Sequence, residues 1–169
     1  MPTAHIALGS NLGDREGTLA AATDRLERLG RVEASSSLYE TEPVGFHGQP
    51  AFLNAVLALE TELEPLPLLH ALLAIERELG RDRSQGIRNG PRTLDLDLLL
   101  MGDTVIVGEE LTLPHPALVQ RRFVLAPLAE IAPQLRHPQR NQTMAELLAL
   151  LPDAGENRVS AVRRLDQQK

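Results

Sequence analysis

Three observations predict an α+β fold, with a mainly antiparallel sheet and helices packed on one side of it. Segments with the two-residue period of strands and segments with helical period follow in the order strand–helix–strand–strand–helix–strand. Glycine or proline punctuates most of the junctions. The two middle strands are joined by a Pro/Gly loop with no helix between them, as a hairpin requires. This order is the split β-α-β, or ferredoxin-like, arrangement. Many unrelated activities use it, so it names no function.

His5-Ile6-Ala7-Leu8-Gly9 reads as the first strand, broken at Gly9-Ser10-Asn11-Leu12-Gly13. Asp14 is placed to cap a helix through about Leu29, with Leu19, Ala22, Leu26 and Leu29 on one stripe and Gly30 as its stop. Val32 to Tyr39 alternates apolar and small polar residues, the pattern of a second strand. Glu40 to Pro50 holds two prolines and two glycines and reads as a loop. Ala51 to Thr61 is the third strand. Pro65 and Pro67 open a second helix to Leu79, with Leu68, Leu69, Leu72, Leu73 and Ile75 inward and Gly80 ending it. An arginine-rich loop covers 81–92 and a fourth strand 93–101. Leu98, Leu99 and Leu100 run without interruption, which predicts a central strand rather than an edge. Gly102-Asp103 turns into a short Val105-Ile106-Val107 strand. Beyond Pro114 the pattern supports short helices near 116–121 and 143–151 and a ragged end after Pro152. No repeat or linker divides the chain, so 1–169 is expected to be one domain.

At 43% hydrophobic and 24% charged residues, the composition is that of a soluble globular protein. No apolar run approaches the ~20 residues of a membrane span. The N-terminus lacks the layout of a signal peptide, so a cytoplasmic location is expected, with no membrane partner. Disulfide and thiolate chemistry are excluded, because there is no cysteine. A net charge of −6 argues against nucleic-acid binding. Even so, Arg77, Arg81, Arg83, Arg88 and Arg92 fall within sixteen positions, enough for a local anion site on an acidic protein.

The strongest chemical signal lies in Thr93-Leu94-Asp95-Leu96-Asp97-Leu98. Residues two apart on a strand share a face, so both carboxylates project side by side, about 6.6 Å apart along the chain. Like charges at that spacing repel by roughly 2.5 kcal/mol at an effective dielectric near 20. A solvated strand face is the ordinary explanation of such a pair. The flanking leucines and the basic loop ending at Arg92 favour a divalent cation with a polyphosphate, because Mg²⁺ takes one or two carboxylates plus water and phosphate oxygens. Gly9-Ser10-Asn11-Leu12-Gly13 lacks the Gly-Lys-Ser/Thr of a nucleotide P-loop.

Five segments in order carry a resemblance: Gly9-Ser10-Asn11-Leu12; Gln49-Pro50 leading to Phe52-Leu53-Asn54-Ala55; Gly80-Arg81-x-Arg83; Arg88-x-Gly90-Pro91-Arg92-Thr93-Leu94-Asp95-Leu96-Asp97; and Leu113-Pro114-His115-Pro116. Together they resemble the 6-hydroxymethyl-7,8-dihydropterin pyrophosphokinase family of folate biosynthesis, over about residues 4 to 135. The resemblance implies transfer of pyrophosphate from ATP to the pterin hydroxymethyl oxygen, with release of AMP. It implies two Mg²⁺ ions held by Asp95 and Asp97. Arg81 and Arg92 would contact phosphate, assisted by Arg83 and Arg88, and Glu76, His115 and Arg121 would lie on the nucleotide side. Phe52 and Phe123 would stack on the pterin, Asn54 would read its edge, and Thr41, Pro43 and Val44 would line the slot. A monomer is expected, with loops 42–50 and 81–91 as the moving parts. Asn89 stands where some family members carry an aromatic, and the 81–92 loop, with Gly86 inside it, is a residue longer. The pattern near Glu110 and Pro116 also differs from that of some relatives. Two other classes remain on the residues alone. They are a ligand-binding domain that does not consume ATP and an RNA-binding module, the latter opposed by the acidic charge and the lack of an aromatic-rich strand.

Overall fold

Alternation along the apolar segments gives one sheet with two distinct faces. The computed structural model describes residues 2–11, 13–41, 51–79, 94–152 and 162–164. The strands are β1 (Thr3–Ser10), β2 (Arg31–Ser35), β3 (Tyr39–Thr41), β4 (Phe52–Glu60) and β5 (Asp95–Met101). β6 (Ile106–Val107) and β7 (Thr112–Leu113) form a separate ribbon, and β8 (Val162–Arg164) pairs with β3. All pairings are antiparallel, in the order β5-β1-β4-β3-β8, with β2 also on β4. This is the expected α+β class with the split β-α-β order.

Two helices follow the reading closely. Asp14 caps α1 (Arg15–Leu26), accepting from the Gly17 amide at 3.1 Å. α2 (Pro65–Glu78) starts on a proline, whose missing amide costs nothing in the first turn. Leu19, Ala22, Leu26, Leu68, Leu72 and Ile75 pack from these helices onto Ile6, Leu8, Leu57, Leu59, Leu96 and Leu98. Leu26, Leu68 and Leu72 are fully buried, each contributing roughly 2 kcal/mol of transfer free energy. Leu69 and Leu73 are only half-buried, at the margin of the stripe.

Several expectations need correction. The helices cover both faces rather than one side. α3 (Arg122–Ile131) and α4 (Met144–Ala149) pack Val124, Leu125, Leu128, Met144 and Leu147 against Val56, Leu99 and Leu100 on the opposite face. α3 escapes a periodicity reading because Pro127 sits inside an almost wholly apolar segment and looks like a breaker. The segment expected as a helix near 116–121 is a single 3-10 turn, Leu118–Gln120. β1 runs through Gly9 to Ser10 rather than breaking there. The expected strand from 32 to 39 is two strands, because Ser36 takes over the ladder. Its amide donates to Val56 O and its hydroxyl accepts from Val56 N, both at 2.9 Å. The end is not ragged at 162–164, where β8 extends the sheet.

β5 is at the sheet edge, not in its centre. Its leucines are buried because other elements seal the open side. Glu76 on α2 accepts from the Leu96 amide at 2.7 Å, and the His115 amide donates to Leu99 O at 2.8 Å. An edge with its polar groups satisfied in this way carries apolar side chains as a central strand does. Among the described residues no helix is long and apolar enough to cross a membrane.

Candidate active site

Strand register sets one row of residues across the sheet. Gly9 on β1 pairs with Asp95 on one side and Asn54 on the other, and Asn54 pairs in turn with Tyr39. Cross-strand partners share a face, so Asp95, Asn54 and Tyr39 project together. One step along, Ala7 pairs with Asp97 and with Val56, and on the other side Thr41 pairs with Phe52. Asp95 and Asp97 are both half-buried on this face. The sheet therefore brings the acid pair, Asn54, Phe52 and Thr41 onto one surface.

The centre of the row is a glycine because of space. A Cβ at Gly9 would meet Asn54 Oδ1 at 3.1 Å and Phe52 Cδ1 at 3.9 Å. Asn54 is buried and donates from Nδ2 to Thr41 Oγ1 at 2.8 Å. That bond fixes the amide orientation and turns Oδ1 toward Gly9. An isolated glycine inside a strand often marks such a close approach. That signal was available in the sequence and points to Gly9, which sequence reasoning placed at a strand break.

A second group comes from the segment between β7 and α3. His115 Nδ1 accepts from the Ala117 amide at 3.1 Å, so the neutral ring carries its proton on Nε2. Burial, and then the Arg121 guanidinium, push the His115 pKa below the ordinary value, while Asp95 acts in the opposite direction. His115 thus lies within electrostatic reach of both Asp95 and Arg121. Arg121 precedes α3, its guanidinium carbon 5.6 Å from the centroid of the half-buried Phe123 ring. That geometry is a cation–π contact. Glu76 approaches from the other face, where it is 2% exposed and holds the strand between the two aspartates.

Asp95 and Asp97 are the carboxylates placed to hold a cation. Among the described residues no three His, Asp or Glu side chains gather as a closed metal cage. Two carboxylates suit a hard cation that completes its shell with water and phosphate oxygens. Arg81, Arg83, Arg88 and Arg92, together with Pro43 and Val44, lie outside the described residues, as do loops 42–50 and 81–91 with Gly86 and Asn89. Of the other site residues expected from the sequence, Thr41, Phe52, Asn54, Asp95 and Asp97 share one sheet face. Phe123 lies on α3, which packs on that face, and Arg121 and His115 are coupled beside it.

A split β-α-β sheet carrying two carboxylates and a buried amide on one face defines an α+β domain with a polar sheet surface. The chain belongs to the 7,8-dihydro-6-hydroxymethylpterin-pyrophosphokinase (HPPK) family, whose sequence model matches residues 5–133. It is 48% identical over 157 residues to the 2-amino-4-hydroxy-6-hydroxymethyldihydropteridine pyrophosphokinase of Pseudomonas aeruginosa, covering 92% of this chain and 95% of that one. The enzyme of the same name from Bacillus subtilis is 48% identical over 145 residues, covering 85% and 84% of the two chains. The folic acid synthesis protein fol1 of Schizosaccharomyces pombe is 43% identical over 154 residues, and the match spans 21% of its length. Among solved structures, wild-type HPPK-DHPS of Plasmodium falciparum has a TM-score of 0.70 at 15% identity. That match covers 88% of this chain and 44% of the other, and it shows the shared fold.

Proposed function

We propose that this protein transfers the pyrophosphoryl group of ATP to the hydroxymethyl oxygen of 6-hydroxymethyl-7,8-dihydropterin, giving AMP and the pterin diphosphate in folate biosynthesis. The observation that carries the reading is the row Asp95–Gly9–Asn54, which sets a carboxylate for charge neutralisation across one intervening strand from a hydrogen-bonding edge reader. Family membership supplies the substrate class.

The residues divide the work. Phe52 and Phe123 stack on the flat pterin, and Asn54, held by Thr41, offers an acceptor to its edge. Thr41, Pro43 and Val44 wall the slot. Asp95 and Asp97 would hold two Mg²⁺ ions, which would supply neutralisation of the charge on the phosphates. Arg81 and Arg92 grip phosphate oxygens bidentately, with Arg83 and Arg88 assisting. Neutral His115 donates from Nε2 toward the nucleotide, and Arg121 adds positive charge beside it. Glu76 works through β5, holding the strand that carries both aspartates. Such transfers depend chiefly on positioning and electrostatics, which is what these residues provide. The protein acts as a monomeric single domain.

The test incubates the protein with ATP, Mg²⁺ and 6-hydroxymethyl-7,8-dihydropterin and resolves the nucleotides. AMP in amounts equal to the pterin diphosphate is expected; ADP as the product would overturn the reading.

A further inference from the structure

We propose that Glu130 is a positioning residue for the pterin slot, locking α3 to the strands that carry the rest of that slot. The inference rests on the slot assignment made above.

The slot is assembled from two separate places. Thr41, Phe52 and Asn54 stand on β3 and β4, while Phe123 lies in the first turn of α3, next to Arg121. Val124, Leu125 and Leu128 press α3 onto the sheet. Hydrophobic contact of this kind is non-directional and leaves the helix able to slide. Directional contacts come from the far end of the helix. Glu130 Oε2 accepts from the Ser37 amide at 2.9 Å and from the Ser37 hydroxyl at 3.1 Å. Its Oε1 accepts from the Tyr39 hydroxyl at 2.7 Å. Bonds to a carboxylate are roughly twice as strong as neutral ones. Ser37 and Tyr39 are both buried and Glu130 itself is exposed, so the clamp joins a surface carboxylate of α3 to donors fixed in the body of the sheet.

The line from this clamp to the slot is short. Tyr39 is the cross-strand partner of Asn54, and Thr41, two residues along β3, holds the Asn54 amide. Glu130 follows Phe123 by seven residues, close to two helical turns, so both project from the same side of α3. The carboxylate thus sets the axial position of α3, and with it of Phe123, against the strands carrying Asn54 and Phe52.

The test uses the full chain with Glu130→Ala, Glu130→Gln and Tyr39→Phe, measuring AMP formation with each substrate varied in turn. Tyr39 is the only tyrosine and there is no tryptophan, so tyrosine emission reports the clamp directly. Loss of the carboxylate acceptor should raise that emission in both Glu130 variants. Glu130→Ala should raise the pterin KM about tenfold while the ATP KM stays within about twofold, the signature of a misplaced binding wall. Glu130→Gln keeps one acceptor oxygen and should restore most of the pterin KM. If Glu130→Ala does not fold, Tyr39→Phe, which removes a single oxygen, should show the same one-sided rise to a smaller extent. Equal increases in both KM values would overturn the proposal, as would an unmoved pterin KM in Glu130→Ala when its emission reports a broken clamp. Wild-type protein that forms no AMP would remove the functional reading and this inference with it. An active wild type with variants unchanged in pterin KM would remove the clamp alone.

Discussion

Beneath α1 and α2 the sheet presents Ile6, Leu8, Leu57, Leu59, Leu96 and Leu98, all buried. On the α3 face, alternate positions of the same strands present Ala7, Gly9, Phe52, Asn54, Asp95 and Asp97, several of them only half-buried. Because the strand period is two, one set of strands can serve both purposes without compromise. The closed face contributes stability through apolar area. The other gives up apolar contact for carboxylates and an amide, the groups to which the proposed function assigns charge neutralisation and edge recognition. Substitutions at these two sets of positions should therefore separate, with stability lost at the first and chemistry lost at the second.

The largest effect is expected at the polar positions of the α3 face. Asp97→Ala should lower kcat by about 10³-fold, since it removes half of the proposed cation-holding pair. AMP production within tenfold of wild type would break the division between the faces. On the closed face, Leu72→Ala should destabilise by about 3 kcal/mol through the cavity it leaves, while kcat of the folded protein stays unchanged. Denaturant unfolding alongside activity measures both quantities.

His5 sharpens the comparison, because it is a polar group on the α3 face sealed away from water. It is 6% exposed with no partner for Nδ1 among the described residues, and burial pushes its pKa down to about 4. The unfolded chain therefore binds this proton more readily than the folded one between pH 6.5 and about 4. The stability due to neutral His5 is complete above the unfolded value and lost as pH falls through the folded one. At pH 5 that loss is about 2 kcal/mol. His5→Phe should flatten this part of the pH–stability profile; an unchanged slope would assign the acid sensitivity elsewhere.

A smaller effect is expected at the centre of the row. The φ of Gly9 is not in the left-handed region, so only space excludes a side chain there. Gly9→Ala should push Asn54 off its alignment and raise the pterin KM about tenfold, or about 1.4 kcal/mol, with the ATP KM little changed. A rise confined to ATP would place the pterin elsewhere.

Much of this was legible in the sequence because it is written in short periods. The alternation at 94–98 put both aspartates on one face, and the Asp14 cap and the Pro65 start located two helices. What escaped depends on distant partners. The edge position of β5 is masked by Glu76 and His115, which cover it from α2 and from the segment after β7. α3 was hidden by Pro127 and by a nearly uniform apolar composition. Tyr39 and Glu130 lie 91 positions apart, so no local pattern announces their bond. Gly9 left a readable mark, a glycine inside an otherwise apolar strand, but its meaning depends on Asn54 across the sheet.

The account turns on the acid pair holding cations for a polyphosphate. The most direct measurement is the thermal midpoint of wild type and Asp97→Asn, each with EDTA and with Mg²⁺ plus a non-hydrolysable ATP analogue. Ligand at about 100 times its Kd should stabilise wild type by roughly 2.7 kcal/mol, and the variant should lose most of that shift at the same concentrations. An equal upward shift in both proteins would contradict the assignment of Asp97 to the cation site.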